Sequence, residues 1–240
     1  MSVLKICVQN VRSLNVSTRN EDTQKKLIAA TGNNDDMILL VDTRINSASN
    51  PSGLHNIKKL SLQRGYEFLY NSTGSSRGVA IMLKKSLDHL VNRYYSDADG
   101  NYMILDITIN GKNYIIGAVY GPNGDDLEFY DRLCTLMSSI NNNNIILGGD
   151  WNATWDNSNV NINLDTLNMA NIPSKKRSDK IINMAKDLKL TDAFRMFYPN
   201  KREYTFIPSG INQMNRSRLD FFLYLNNLPH LAITVTLPTL

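Results

Sequence analysis

Apolar positions fall in short runs along this 240-residue chain, and the spacing inside each run separates strands from helices. Residues 4–8 alternate as a strand. Residues 21–30 carry helical spacing, with Leu27 and Ile28 expected inward. Residues 37–41 (MILLV) form a continuous apolar run of buried-strand length. Two further strands are predicted over 66–70 and 79–83, separated by a Gly/Ser-rich turn. Strands over 102–109 and 114–119 flank Asn110-Gly111, the strongest hairpin signal in the chain. Helical spacing returns over 127–140, then a short buried strand over 145–147 ends at Gly148-Gly149-Asp150. A helix over 179–188 places Ile181, Ile182, Ala185 and Leu188 on one face, and strands over 205–207, 219–223 and 231–237 close the chain. Strands outnumber helices and one hairpin is antiparallel, so the expected class is α/β, with mixed or antiparallel sheets packed together and helices outside. The polar stretch 153–178 is expected to be a long surface loop.

Composition narrows the class. Lys+Arg number 26 and Asp+Glu 22, a net charge of +4, with 42% hydrophobic and 20% charged residues. That balance excludes a disordered or collagen-like chain. No apolar window approaches the ~18 residues of a membrane span. The first residues enter a strand pattern without a basic segment and long apolar stretch, so no secretory signal is expected. The length allows one large α/β domain or two small ones. Cys7 and Cys134 sit in apolar patterns and read as reduced, buried thiols. Neither has a second Cys or His at ligand spacing, which argues against zinc. The mild positive charge suits a polyanionic partner without requiring one.

Polar side chains recur where apolar runs stop: Gln9-Asn10 with Arg12, Val41-Asp42-Thr43-Arg44, Tyr120-Gly121-Pro122-Asn123 and Asp150-Trp151-Asn152. A fifth stretch, Ser217-Arg218-Leu219-Asp220, puts an acid inside an apolar run. A single acid at a strand end is ordinarily a cap or turn former. Asp42, Asp150 and Asp220 together are harder to treat that way, because an unpaired carboxylate beside a buried strand is costly. Hard oxygen ligands converging on a cation would resolve that cost.

The ordered series NVRSLN (10–15), LVDTRIN (40–46), SRGVAIML (76–83), AVYGPN (118–123), GGDWNAT (148–154), YTF (204–206) and RSRLDFFL (216–223) resembles the endonuclease/exonuclease/phosphatase superfamily. Its nearest resemblance is to the endonuclease domain of LINE-type (non-LTR) retrotransposons. That resemblance implies a single domain over 1–240 with a four-layer α/β sandwich, two facing mixed β-sheets flanked by helices, of DNase I-like type. It implies Mg²⁺ (or Mn²⁺) at Asp42 and Asn10, Tyr120 near the scissile phosphate, Asp150 as the base for water, and Asn152 holding the phosphate. Asp220 falls at the acid of the family's S-x-x-D strand, behind the site. Thr205 and Ser217 match positions that approach DNA. Arg12, Arg44, Lys175, Lys176, Arg177, Arg216 and Arg218 are candidate contacts to double-stranded DNA, which would make binding salt-dependent. The loop 209–215 is a candidate for groove insertion. The implied partner is a reverse transcriptase domain on a longer polyprotein, and the implied place of action is nuclear.

Two positions depart from the family. Asp42 stands where most members carry Glu, one methylene longer. The family's closing Ser-Asp-His, which supplies a catalytic histidine, would follow the last strand, and here Pro238-Thr239-Leu240 follows it. The expectation is a chain cut just short of that motif and impaired in catalysis. His230 precedes the last strand by roughly 23 Å of extended chain and is a poor substitute; His55 and His89 are expected to be ordinary surface residues in helix or loop. The alternatives are a non-catalytic DNA-binding module of the same fold and an apurinic-site repair endonuclease.

Overall fold

A computed structural model of the chain describes residues 3–14, 20–74, 76–124, 126–140, 142, 144–155, 164–167, 175–208, 215–225 and 231–235. In chain order its elements are β1 (Leu4–Asn10), α1 (Asn20–Thr31), β2 (Met37–Val41), α2 (Pro51–Gln63), β3 (Tyr66–Asn71), β4 (Val79–Lys84), β5 (His89–Ser96), β6 (Tyr102–Ile109) and β7 (Lys112–Tyr120). There follow α3 (Glu128–Ser139), β8 (Ile145–Asp150), β9 (Thr166–Leu167), α4 (Lys175–Asp187), β10 (Leu190–Asp192), α5 (Ala193–Phe197), β11 (Arg216–Ser217), β12 (Asp220–Leu225) and β13 (Leu231–Val235).

Among the described residues the strands build a five-stranded sheet, β13-β1-β2-β4-β3, a six-stranded sheet, β10-β12-β8-β7-β6-β5, and a small β11-β9 pair. Both large sheets are mixed. β1 runs parallel to β13 and β2, and β4 antiparallel to β2. β7 runs parallel to β8, with β6 and β12 antiparallel to that pair.

Period-two alternation builds the layers. In β2, Met37, Leu39 and Val41 face the other sheet and join Ile6, Ile81, Leu105, Ile116 and Phe222 in a core between the sheets. Ile38 and Leu40 face the opposite way, in a cluster with Leu27 of α1 and Ile57 of α2. Residues 37–41 are apolar throughout because both faces of the strand are covered. On the other sheet, Leu147, Phe221 and Leu223 pack outward with Phe129 and Leu133 of α3 and Ile181 and Ala185 of α4. The order is helix, sheet, sheet, helix, the four-layer sandwich expected.

The hairpin forms as predicted, with Ile109 opposite Lys112 and both Asn110 (φ 47°) and Gly111 (φ 75°) left-handed. Several expectations are corrected. Ile28 is exposed, because Leu27 and Ala30 carry the buried face of α1. Residues 205–207 make only an isolated bridge, Phe206 to Ser217. The stretch 153–178 is not simply a surface loop: α4 begins at Lys175, and Ala153, Thr154 and Asp165 are fully buried. Residues 156–163 and 168–174 of that stretch lie outside the described residues. Six elements had no prediction: α2, β5, β9, β10, α5 and β11. The helix α2 starts at Pro51 with the Asn50 side chain accepting from Gly53 N at 2.9 Å. The strand β5 is a sheet edge whose Leu90 and Tyr94 are exposed.

Candidate active site

Strand direction gathers the polar residues at one end of the sandwich. β1 and β2 both finish there, at Asn10 and immediately before Asp42, and β7 and β8 finish there at Tyr120 and Asp150. The antiparallel β12 begins there, with Asp220 opposite Asp150, and Tyr120 flanks Asp150 on the other side. The sheets are tied across this edge by a bond in which Asn10 Nδ2 donates to Asp150 Oδ2 at 2.9 Å. Residues 140 positions apart in sequence thus meet across the two sheets.

The segment after β8 is fixed tightly. Asp150 Oδ1 accepts from Asn152 N at 3.0 Å, and the Asn152 amide donates to the Gly121 carbonyl at 2.7 Å. A Cβ at Gly121 would collide with the Trp151 carbonyl, so the close crossing of these two loops requires glycine. Trp151 is fully buried and stacks on Phe221 with centroids 5.6 Å apart. Its Nε1 donates to Phe221 O at 3.1 Å, and Tyr130 Oη donates to its carbonyl at 3.0 Å. An aromatic anchor therefore holds the loop that presents Asp150 and Asn152.

Burial sets the electrostatics. It pushes the Asp150 carboxyl above the usual carboxylate range, against the stabilising Asn152 N–H and Asn10 amide, and the negative charge of Asp42 pushes the same way as burial. Asp220 is raised well above its ordinary value by burial and then by the charge of Asp150. Its Oδ1 is buried without a hydrogen-bond partner among the described residues. Thr205 Oγ1 accepts from Leu219 N and Asp220 N, both at 3.0 Å, and so fixes the start of β12. The Tyr120 phenol is raised by burial and by the charges of Asp42 and Asp150, and Asn123 Nδ2 donates to its oxygen at 3.3 Å.

Backbone strain collects at this rim. Arg12 (φ 45°), Ser13 (φ 82°), Asp42 (φ 58°), Arg44 (φ 50°), Arg77 (φ 62°) and Asn152 (φ 49°) are all left-handed without being glycine. Each such residue costs about 1–3 kcal/mol and persists where its surroundings over-determine it. Here Ser13 N bonds Asp42 O, Leu14 N bonds Thr43 O and Arg44 N bonds Arg77 O, each at 2.7 Å. From α1, Lys26 Nζ donates to the carbonyls of Arg12 at 3.0 Å and Ser13 at 2.7 Å.

The donor chemistry of Asp42, Asn10 and Asp150 is oxygen only, which fits a hard divalent cation such as Mg²⁺ or Mn²⁺ held by few protein ligands and water. Asp42 is 4% exposed, and both its oxygens face Arg44, with Nε to Oδ1 at 2.8 Å and Nη2 to Oδ2 at 2.7 Å. Asn10 Oδ1 accepts from Arg12 N at 3.1 Å. Among the described residues no group of three or more His, Cys, Asp or Glu is arranged to hold a metal.

The candidate DNA contacts divide. Arg12, Arg44, Lys175, Lys176 and Arg216 are exposed, and Thr205 is half-buried. Arg218 is not at the surface: it is 2% exposed, bonded to Asp165 and Asp192, and packed between the Phe194 and Phe221 rings at 5.3 and 5.1 Å, so it holds the fold. Ser217 is fully buried as well. Arg177 donates to the carbonyls of Pro122 and Asn123 at 2.9 and 2.7 Å and so braces the loop after β7. His55 is exposed on α2. His89 opens β5, a strand rather than a helix or loop, with Nδ1 2.8 Å from Leu87 O. His230 and positions 209–214 lie outside the described residues. Sequence reasoning missed Lys26, which looks like any helix lysine. It also missed Asp192, whose side chain caps α5 by accepting from Phe194 N at 2.8 Å, an N-cap signal that was readable.

Two facing mixed sheets, helices outside, and acids and amides meeting at the strand ends define the DNase I-like class of sandwich. The chain belongs to the endonuclease/exonuclease/phosphatase family, whose pattern matches residues 7–233. Similar solved structures include a 3′ phosphatase from Neisseria bound to a product DNA hairpin, at 19% identity and TM-score 0.70, covering 92% of this chain and 86% of that one. An AP endonuclease from Archaeoglobus fulgidus matches at 18% identity and TM-score 0.67, covering 91% of this chain and 85% of that one. The endonuclease domain of TRAS1, a telomere-specific non-LTR retrotransposon, matches at 16% identity and TM-score 0.61, covering 92% of this chain and 85% of that one. At these identities the likeness shows a shared fold.

Proposed function

We propose that this chain is a metal-dependent DNA endonuclease domain that nicks target DNA to prime reverse transcription of a non-LTR retrotransposon. The observation that carries the reading is the bond from Asn10 to Asp150, which closes the two sheets around a single polar edge. Similarity to the TRAS1 domain and to DNA-acting neighbours supports DNA as the substrate. In this reading Asp150 takes the proton of the attacking water, a role suited to a carboxyl that burial raises above the usual carboxylate range. Asn152, its amide fixed by Gly121, and Tyr120 bind the phosphate. Mg²⁺ or Mn²⁺ held by Asp42 and Asn10 supplies neutralisation of phosphate charge when bound. Exposed Arg12 and Arg44 contact the DNA backbone. A reverse transcriptase domain on the longer polyprotein and action in the nucleus belong to the same reading.

Asp220 Oδ1, unpartnered among the described residues, is suited to receive an imidazole N–H, the role the family's Ser-Asp-His would fill. Nicking of supercoiled plasmid, in Mg²⁺ and in EDTA, tests this on the 240 residues and on the chain extended by Ser-Asp-His after Leu240. We expect Mg²⁺-dependent nicking that rises by about 10²-fold or more in the extended chain. Equal rates in the two would remove the histidine role, and nicking in EDTA would remove the metal. The Arg44 pair on Asp42 favours a second reading, a DNA-binding module without chemistry. Binding with no nicking by either chain would select it, and cleavage confined to abasic sites would select a repair endonuclease.

A further inference from the structure

We propose that Arg44 is an internal counter-cation at Asp42: Arg44 and a divalent metal compete for one carboxylate, and a phosphodiester strengthens metal binding by drawing Arg44 away. The inference rests on the metal-dependent reading above and concerns how that site is loaded. Both Asp42 oxygens are bonded to the guanidinium, at 2.8 and 2.7 Å, and the side chain of Asp42 is only 5% exposed. A carboxylate one methylene shorter than glutamate has little reach with which to serve two cations at once.

The Arg44 side chain, by contrast, is 44% exposed, so it has solvent to move into. Its backbone is fixed by the bond from Arg44 N to Arg77 O at 2.7 Å and stays in place while the side chain swings. A guanidinium fork matches carboxylate and phosphate oxygens alike. An arriving phosphate therefore offers Arg44 an equivalent bidentate partner, and leaving Asp42 becomes an exchange rather than a loss. The carboxylate it vacates is nearly buried and negatively charged, which favours replacement by another cation. Metal and DNA then strengthen each other's binding by the same factor.

Electron paramagnetic resonance of free Mn²⁺ in titrations of the chain and of Arg44→Gln tests this without reference to activity. Removing a bidentate charged competitor is expected to tighten Mn²⁺ by about tenfold or more. A short duplex with cleavage-resistant phosphorothioate linkages should tighten Mn²⁺ on the unaltered chain by about fivefold or more and leave Arg44→Gln unchanged. Arg44→Lys, which keeps the charge and loses the fork, should fall between. Equal or weaker Mn²⁺ binding by folded Arg44→Gln overturns the proposal. If that variant does not fold, absence of tightening by the duplex on the unaltered chain overturns it. Asp42→Asn separates the two layers: if it binds Mn²⁺ as the unaltered chain does, the metal assignment itself fails, whereas Asp42-dependent binding that is indifferent to Arg44 sinks the competition alone.

Discussion

Asp150 and Asp220 face each other as register partners at the end of β8 and the start of β12, both buried and both with raised carboxyl pKa values. A raised value in the fold means the native state prefers the proton. Below the unfolded value of about 3.9 both states are protonated and the favourable contribution is fully present. It is lost as pH rises through the raised native values, so this pair weakens the fold toward neutral and alkaline pH. Asp220→Asn removes the more strongly perturbed acid and places an amide donor beside Asp150. We expect it to gain about 1 kcal/mol near pH 8, roughly 2–4 °C in Tm, with the gain shrinking toward pH 4. Thermal melts across that range check the sign, and a lower Tm than the parent at pH 8 would contradict it. Asn10, Asp42, Asp150 and Asp220 stood out in the sequence because the first three stand where apolar runs stop and Asp220 sits inside one. Lys26 did not, nor did the bracing role of Arg177, because both hold backbone carbonyls, and no residue pattern marks a carbonyl.

Elements here are pinned as much by buried charge as by apolar packing. Arg218 donates to Asp165 at 2.8 and 3.0 Å and to Asp192 at 2.5 Å, and Arg195 also pairs with Asp165. The cluster joins the 164–167 segment, β10 with α5, and the approach to β12, and so aims Asp220 at the site. Removing one member leaves buried charges unmatched. Arg218→Ala should lose about 3–5 kcal/mol of stability in urea unfolding, while the salt dependence of DNA binding by the folded protein stays unchanged. A loss of salt slope without a loss of stability would return Arg218 to the DNA face. The sequence placed Arg218 among the DNA contacts because arginine beside a candidate site is ordinarily solvent-exposed. Its acidic partners lie 53 and 26 residues away, which no local pattern reveals. Strands covered on both faces, such as residues 37–41, were plain from their continuous apolar runs, while the edge β5 packs only Val91 and Tyr95 against the core, both partly buried, and exposes Leu90 and Tyr94.

At the scale of the molecule, the ordered motifs indicated the sandwich through family resemblance. Hairpin logic alone reached only the local pairs, such as β6 with β7. The pairing of β13 beside β1 is parallel and spans nearly the whole chain, a contact that depends on tertiary closure. The two sheets meet at the polar edge through the bond from Asn10 to Asp150, the edge on which the proposed function rests. The most direct test is plasmid nicking in Mg²⁺ by Asp150→Asn beside its parent, both carrying Ser-Asp-His after Leu240, with DNA affinity measured in parallel. The account predicts a fall in rate of about 10²–10⁴-fold at near-constant affinity. Nicking by Asp150→Asn within about threefold of the parent, a change too small for loss of a general base, would contradict it.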